Sequence, residues 1–164
     1  NRKYTYEHFK EKINLLRQKH PLISLTTDIL TGFPEENQED FEHTLNALQE
    51  LKFDRSFIFM YSPREGTASY SFKETLTLKE KKQRVQKLIA LQKEITKEQI
   101  QRFLKTTQKV FIDGESKNKP QELIGFSHYE IPIILQGDAS FIGKTVKAQI
   151  IKQVGNTLKG KIIS

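Results

Sequence analysis

Cysteine is absent from the chain. Disulfides and thiolate-held metals are therefore excluded within these residues. Nothing approaches the roughly 20 consecutive apolar residues of a membrane-spanning helix, and no signal-peptide core opens the chain. The sequence is accordingly read as cytoplasmic. Internal repeats and low-complexity segments are missing too. So is a phosphate-binding loop, because Gly143-Lys144-Thr145 lacks the upstream glycine of a P-loop and falls where the pattern reads as a turn between strands. His8, His20, His43 and His128 share no metal-ligand spacing. Glu35, Glu36, Glu39 and Asp40 cluster, but an acidic first turn of a helix accounts for them without acid-base chemistry.

What is present is an uneven charge. The 164 residues carry 27 Lys/Arg against 20 Asp/Glu, a net charge of +7. Residues 1–72 are net −2, residues 73–105 net +6 and residues 106–164 net +3. A positive back half attracts polyanions, with binding that weakens as salt rises. Nucleic acid is the natural partner, and a solvated basic helix without a partner is the alternative. The length leaves room for one ordinary domain or two small ones, and the charge division favours two. The chain starts at Asn1 without an initiator methionine and enters a helical pattern almost at once, which points to a piece of a longer protein.

Residues 6–19 place Phe9, Ile13 and Leu16 at helical spacing, and His20-Pro21 ends that helix. Residues 22–31 read as a buried parallel strand. Asn37 is positioned to cap a second helix whose buried stripe is Phe41, Leu45, Leu48 and Leu51. Residues 54–60 form the next strand and close a strand–helix–strand unit. At such a junction, after a strand that stops at Gly32-Phe33-Pro34, α/β proteins place their ligands. Thr77 and Glu80 form a capping box for a long helix. Val85, Leu88, Leu91, Ile95, Phe103 and Leu104 face a core, with Lys79, Lys81, Lys82, Arg84, Lys93 and Lys97 largely outside. Beyond Thr106 the pattern changes to five short strands, at 110–112, 122–125, 131–135, 146–151 and 158–162. Turns at Asp113-Gly114, Gly137-Asp138, Gly143 and Gly155-Asn156 separate them. Five strands in about 60 residues suggest a small closed β-barrel, because full pairing removes exposed edges.

The segments Asn1-Arg2-Lys3-Tyr4-Thr5, Thr27-Asp28-Ile29-Leu30-Thr31-Gly32-Phe33-Pro34-Glu35-Glu36, Asp40-Phe41, Phe53-Asp54, Phe59-Met60-Tyr61-Ser62-Pro63-Arg64-Glu65-Gly66-Thr67-Ala68 and Asn156-Thr157-Leu158-Lys159-Gly160, in that order, carry a resemblance that covers essentially the whole chain. The chain resembles the radical S-adenosylmethionine methylthiotransferases. Within them it looks closest to the tRNA branch, which adds a methylthio group to C2 of an isopentenylated adenosine beside the anticodon. The branch acting on a ribosomal protein, which more often carries an aromatic where Asp28 stands, is second, and the branch acting on threonylcarbamoyl-adenosine, which shares the aspartate, is a third alternative. Asp28 and the Tyr-Ser-Pro-Arg loop are the discriminating residues.

The resemblance implies an α/β plus all-β fold. Residues 1–102 would be the end of a partial (β/α) radical SAM barrel with a connecting helix, and residues 103–164 a five-stranded, OB-like TRAM domain that binds RNA. It implies S-adenosylmethionine and two 4Fe-4S clusters in the intact enzyme, with the cluster cysteines upstream, so that these residues alone are expected to be inactive. It implies a monomer whose partner is the tRNA anticodon stem-loop. By position in the motifs, Asp28, Gly32, Phe59 and Tyr61 would border the cofactor and substrate pocket. Core filling is the competing role for Phe59, and for Asp28 the cost of an unpaired buried carboxylate favours function. Arg64, Lys117, Lys119, Lys144 and Lys147 would contact RNA. Two departures stand out. Glu35 replaces a glycine of the family's Gly-Phe-Pro-Gly-Glu-Thr, and Gly125-Phe126-Ser127 with Glu130 replaces Gly-Arg-Thr with a nearby Asn. These departures, with the lack of cysteine, motivate a reading from another class: a non-catalytic RNA-binding protein with a TRAM-like module.

Overall fold

A computed structural model of the chain describes residues 3–116 and 121–164. In chain order the elements are α1 (Tyr6–Lys19), β1 (Thr26–Thr31), α2 (Gln38–Leu51), β2 (Arg55–Met60), α3 (Leu78–Gln99), β3 (Thr107–Glu115), β4 (Glu122–Ser127), β5 (Pro132–Gln136), β6 (Thr145–Val154) and β7 (Thr157–Ile162). They fall into two compact units: residues 25–96, and residues up to 24 together with 97–164.

The first of these units is a parallel strand–helix–strand. Thr26 pairs with Arg55 and Thr31 with Met60, with every position between in register. α2 begins where its cap dictates: Asn37 Oδ1 accepts from Asp40 N at 2.9 Å and Asp40 Oδ2 accepts from Asn37 N at 3.0 Å, a full capping box. Phe41, Leu48 and Leu51 are its buried stripe. The box at the start of α3 also forms, with Glu80 Oε2 accepting from Thr77 N at 2.7 Å and Thr77 Oγ1 accepting from Glu80 N at 3.3 Å. α3 is tied to the strands by polar contacts. Ser56 Oγ donates to Gln92 Oε1 (2.6 Å), Gln92 Nε2 donates to Phe53 O (2.9 Å) and Thr96 Oγ1 donates to Asp54 O (2.7 Å).

Three expectations are corrected here. β1 begins at Thr26 rather than at Leu22. Ile23 N closes a turn on His20 O at 2.9 Å, Arg102 Nη2 donates to Ile23 O at 3.0 Å, and Leu22 packs on the barrel's apolar core, in the unit to which residues up to 24 belong, so these residues stand outside the strand. Lys81 and Arg84 are buried, at 6% and 7% exposure, rather than outside. Lys81 pairs with Glu74 and its Nζ lies 5.2 Å from the Tyr61 ring centroid; Arg84 pairs with Glu36 and sits 4.9 Å over the Phe41 ring. Asp113-Gly114 is not a turn. It lies inside β3, where pairing with β4 slips between Ile112 and Gly114 as a bulge.

The second unit holds the barrel, closed in the order β3-β4-β5-β7-β6, with β5 and β7 parallel and the other neighbours antiparallel. It is a five-stranded, OB-like barrel. Period-2 alternation sends Val110 and Ile112 inward with Leu123, Ile133, Leu135, Ala148, Ile150 and Leu158, and Phe103 closes the same core. Gly125 permits the strand crossing beside the bulge, because a Cβ there would stand 2.3 Å from Phe111 O. Glu122, nearly buried, is neutralised by Lys159 at 2.7 Å.

Candidate functional site

Two places carry the predicted site residues, one in each unit. The first is a groove of about 440 Å³ at the carboxyl ends of β1 and β2, lined among others by Leu30, Phe59, Tyr61, Ser62 and Arg64. Three of the predicted residues, Phe59, Tyr61 and Arg64, thus meet in one concavity. Carboxyl ends of parallel strands are where α/β proteins bind ligands. Tyr61 is buried and fixed: its hydroxyl donates to Ser69 O at 3.0 Å and Phe33 meets its ring edge-on at 5.0 Å between centroids. Phe59 is 52% exposed, so it does not fill a core. Arg64 is exposed in the loop after β2.

Asp28 and Gly32 lie outside that lining. Asp28 is exposed in mid-strand, opposite Phe57 and two residues before Leu30 on the same sheet face. The cost of a buried carboxylate therefore gives no argument for its function. Gly32 is buried at φ 79°, and a Cβ there would stand 2.8 Å from Lys81 Cγ, so its bare backbone admits the stem of that lysine. The turn behind it is clamped by Glu36, whose carboxylate accepts from Thr31 Oγ1 and Gly32 N at 2.9 Å each and pairs with Arg84. Glu36 is thus occupied in holding the turn that ends β1. Glu35 adopts φ 76°, the left-handed region that suits the glycine expected there.

The second place is the outer surface of the barrel. Lys144 precedes β6 and Lys147 lies on it, both exposed. Lys117 and Lys119 lie outside the described residues. Beside Lys147, an open groove of about 560 Å³ is lined by Lys109, Phe111, Phe126, His128 and Tyr129 with Gln108, Ser127 and Thr145. Ser127, where the resemblance expects threonine, holds the turn below it, its Oγ accepting from Tyr129 N at 3.2 Å and Ile131 N at 3.3 Å. Lys109 and Phe111 were not among the predicted contacts. The alternation of Gln108, Val110 and Ile112 inward was the signal that sets both facing out. Among the described residues, no group of three or more His, Asp or Glu side chains is placed to hold a metal ion, and no helix is long and apolar enough to cross a membrane.

Residues 101–163 match the TRAM domain. Over 162 residues, 99% of this chain, the sequence is 37% identical to a tRNA-2-methylthio-N(6)-dimethylallyladenosine synthase of Anoxybacillus flavithermus, covering 31% of that protein. Proteins of the same name from Bacillus subtilis and Bacillus cereus are 36% identical over the same share of the chain, which covers 32% of each. The chain thus spans about a third of the length of the curated relatives it matches. It carries a TRAM domain over residues 101–163 and is similar, from end to end, to about a third of these synthases.

Proposed function

We propose that the chain serves as the carboxy-terminal part of a cytoplasmic, monomeric tRNA methylthiotransferase that acts on N6-isopentenyladenosine beside the anticodon. The observation that carries this reading is similarity from end to end: 99% of the chain aligns with synthases named for that reaction. In this reading residues 1–102 belong to the end of the radical SAM core and residues 103–164 to the RNA-binding module.

The groove at the ends of β1 and β2 has the chemistry to border S-adenosylmethionine or the target adenosine. Phe59 offers an exposed ring for a base, the Tyr61 ring is locked by its hydroxyl bond, and Arg64 presents a planar donor fork suited to a carboxylate or phosphate. Asp28 lies on the same open sheet face, one alternate position before Leu30, where an acceptor can hydrogen-bond an amino or hydroxyl group. Gly32 contributes indirectly, by letting Lys81 and the Glu36 clamp set the turn. When bound, S-adenosylmethionine supplies the radical chemistry. The residues here do not fit an iron-sulfur cluster, since the chain has no cysteine to ligate one; by this reading those ligands lie in another part of the protein, and this stretch alone does not turn over. Arg64, Lys144 and Lys147, together with Lys117 and Lys119, add positive charge that RNA phosphates would use.

The test is Asp28→Ala in the full-length protein, followed by tRNA binding and by methylthio incorporation. The expected result is loss of incorporation with tRNA affinity within about twofold of the parent. Because Asp28 is exposed, the variant should fold. Full incorporation would remove Asp28 from the pocket, and equal loss of binding and incorporation would move it to the RNA interface.

A further inference from the structure

We infer that Phe111 and Phe126 form a stacking platform for unpaired RNA bases on the β3–β4 face of the barrel. The inference rests on the RNA-binding reading above and specifies where and how the barrel would grip RNA. The two residues are direct register partners on neighbouring antiparallel strands, and both point outward, at 47% and 37% exposure. The same row continues to Thr145 on β6, opposite Phe111, and to Pro132 on β5, opposite Phe126. Neither ring stacks on another aromatic among the described residues. Two large rings placed outward on adjacent strands contribute nothing to a core that is already closed beneath them, and their faces remain available.

The neighbouring row supplies the charge. Lys109 on β3 stands directly opposite Lys147 on β6. Like charges in that relation disfavour the sheet, and neither lysine has an ion-pair partner among the described residues. An anion lying between them would remove the repulsion. The groove that contains both rings and Lys109 also holds His128 and Tyr129, and no acidic side chain lines it. Aromatic faces beside a cationic row match the two parts of a nucleotide, base and phosphate, and this combination is how single strands are held without sequence readout. A duplex would offer the lysines its phosphates but would keep its base faces stacked away from Phe111 and Phe126. The platform therefore discriminates for unpaired nucleotides. It also accounts for Phe126 where an arginine is expected: a charged contact is exchanged for a stacking one.

Titration of the chain with a labelled, unstructured oligoribonucleotide and with a blunt-ended, two-stranded RNA duplex of equal length, each over a range of salt, tests this. Phe111→Ala and Phe126→Ala should each weaken binding of the unpaired RNA at least about fivefold, leave the duplex nearly unaffected and leave the salt slope unchanged. Phe126→Trp should bind as tightly as the parent or more so, which separates a missing ring from a damaged barrel. Lys147→Gln should weaken both RNAs and make the salt slope shallower by about one counterion. If the parent binds both RNAs but the phenylalanine variants match it, the platform is wrong while the RNA-binding reading stands. If the parent binds neither RNA at low salt, both fail.

Discussion

Phe57 and Phe59 on β2 are 56% and 52% exposed, whereas Ile133 and Leu135 on β5 are fully buried. Both strands alternate, and both carry apolar side chains on one face. The difference is closure. β1 and β2 pair only with each other among the described residues, so their sheet keeps two free edges and one bare face, on which Leu30 is also 53% exposed. The barrel returns β6 to β3, leaves no edge, and encloses a core contributed by every strand. An exposed apolar face on a sheet marks something that has yet to cover it. In the proposed enzyme the cover would be the remaining barrel strands and the bound ligands, so that the unit offering the chemistry is open and the unit gripping RNA is self-sufficient.

The comparison can be broken by substitution. Leu158→Ala removes a fully buried side chain from the barrel core and should cost about 2–5 kcal/mol, whereas Phe59→Ala should change stability by less than about 0.5 kcal/mol. Equal losses in thermal unfolding of the two variants would refute the asymmetry. Native-state hydrogen exchange sharpens it: amides of β1 and β2 should exchange faster than those of β3 to β7, since a two-stranded sheet has few ways to protect them. Slower exchange in β1 and β2 would contradict the account.

Much of this was legible in the sequence because the signals are local. Asn37 and the Thr77–Glu80 box sit within one turn of the groups they satisfy, and the five barrel strands announce themselves by alternation. What was not legible depends on partners far along the chain. Arg84 is buried because Glu36 meets it from 48 positions away, and a helical arginine by itself reads as exposed. Asp113-Gly114 has turn chemistry, yet the strand passes through it as a bulge because β4 continues to pair on the far side. For Phe59 the sequence leaves a pocket role and core filling in competition, and its 52% exposure removes the second. Of the residues that motif position assigns to the pocket, Phe59 and Tyr61 line one groove together with Arg64, which the motif assigns to RNA, whereas Asp28 lies in mid-strand and Gly32 behind the turn, outside that lining.

Smaller effects probe the turn that ends β1. Glu35→Gly should stabilise the chain by about 1 kcal/mol, since φ 76° strains a residue bearing a Cβ; a lower melting temperature would mean that the glutamate makes a contact worth more than the strain. The smallest effect is at the start of α3. The Thr77 hydroxyl and then the Thr77 backbone N–H lower the Glu80 pKa below the ordinary glutamate range. Its folded value is below its unfolded one, so the stability it contributes is present above the ordinary carboxylate pKa and lost as pH falls through the lowered value. Helicity followed by circular dichroism on acidification should show this loss in the parent, and Glu80→Gln should flatten it. An unchanged acid profile would assign the box no such role.

The most direct test of the proposed function is nucleoside mass spectrometry of tRNA from cells lacking the gene that encodes this chain, with and without the full-length protein restored. The account predicts that 2-methylthio-N6-isopentenyladenosine is missing without the protein, with unmethylthiolated N6-isopentenyladenosine in its place, and returns with it. Intact 2-methylthio-N6-isopentenyladenosine in the deleted strain, or loss of a methylthio group from a different nucleoside or from a protein, would contradict it.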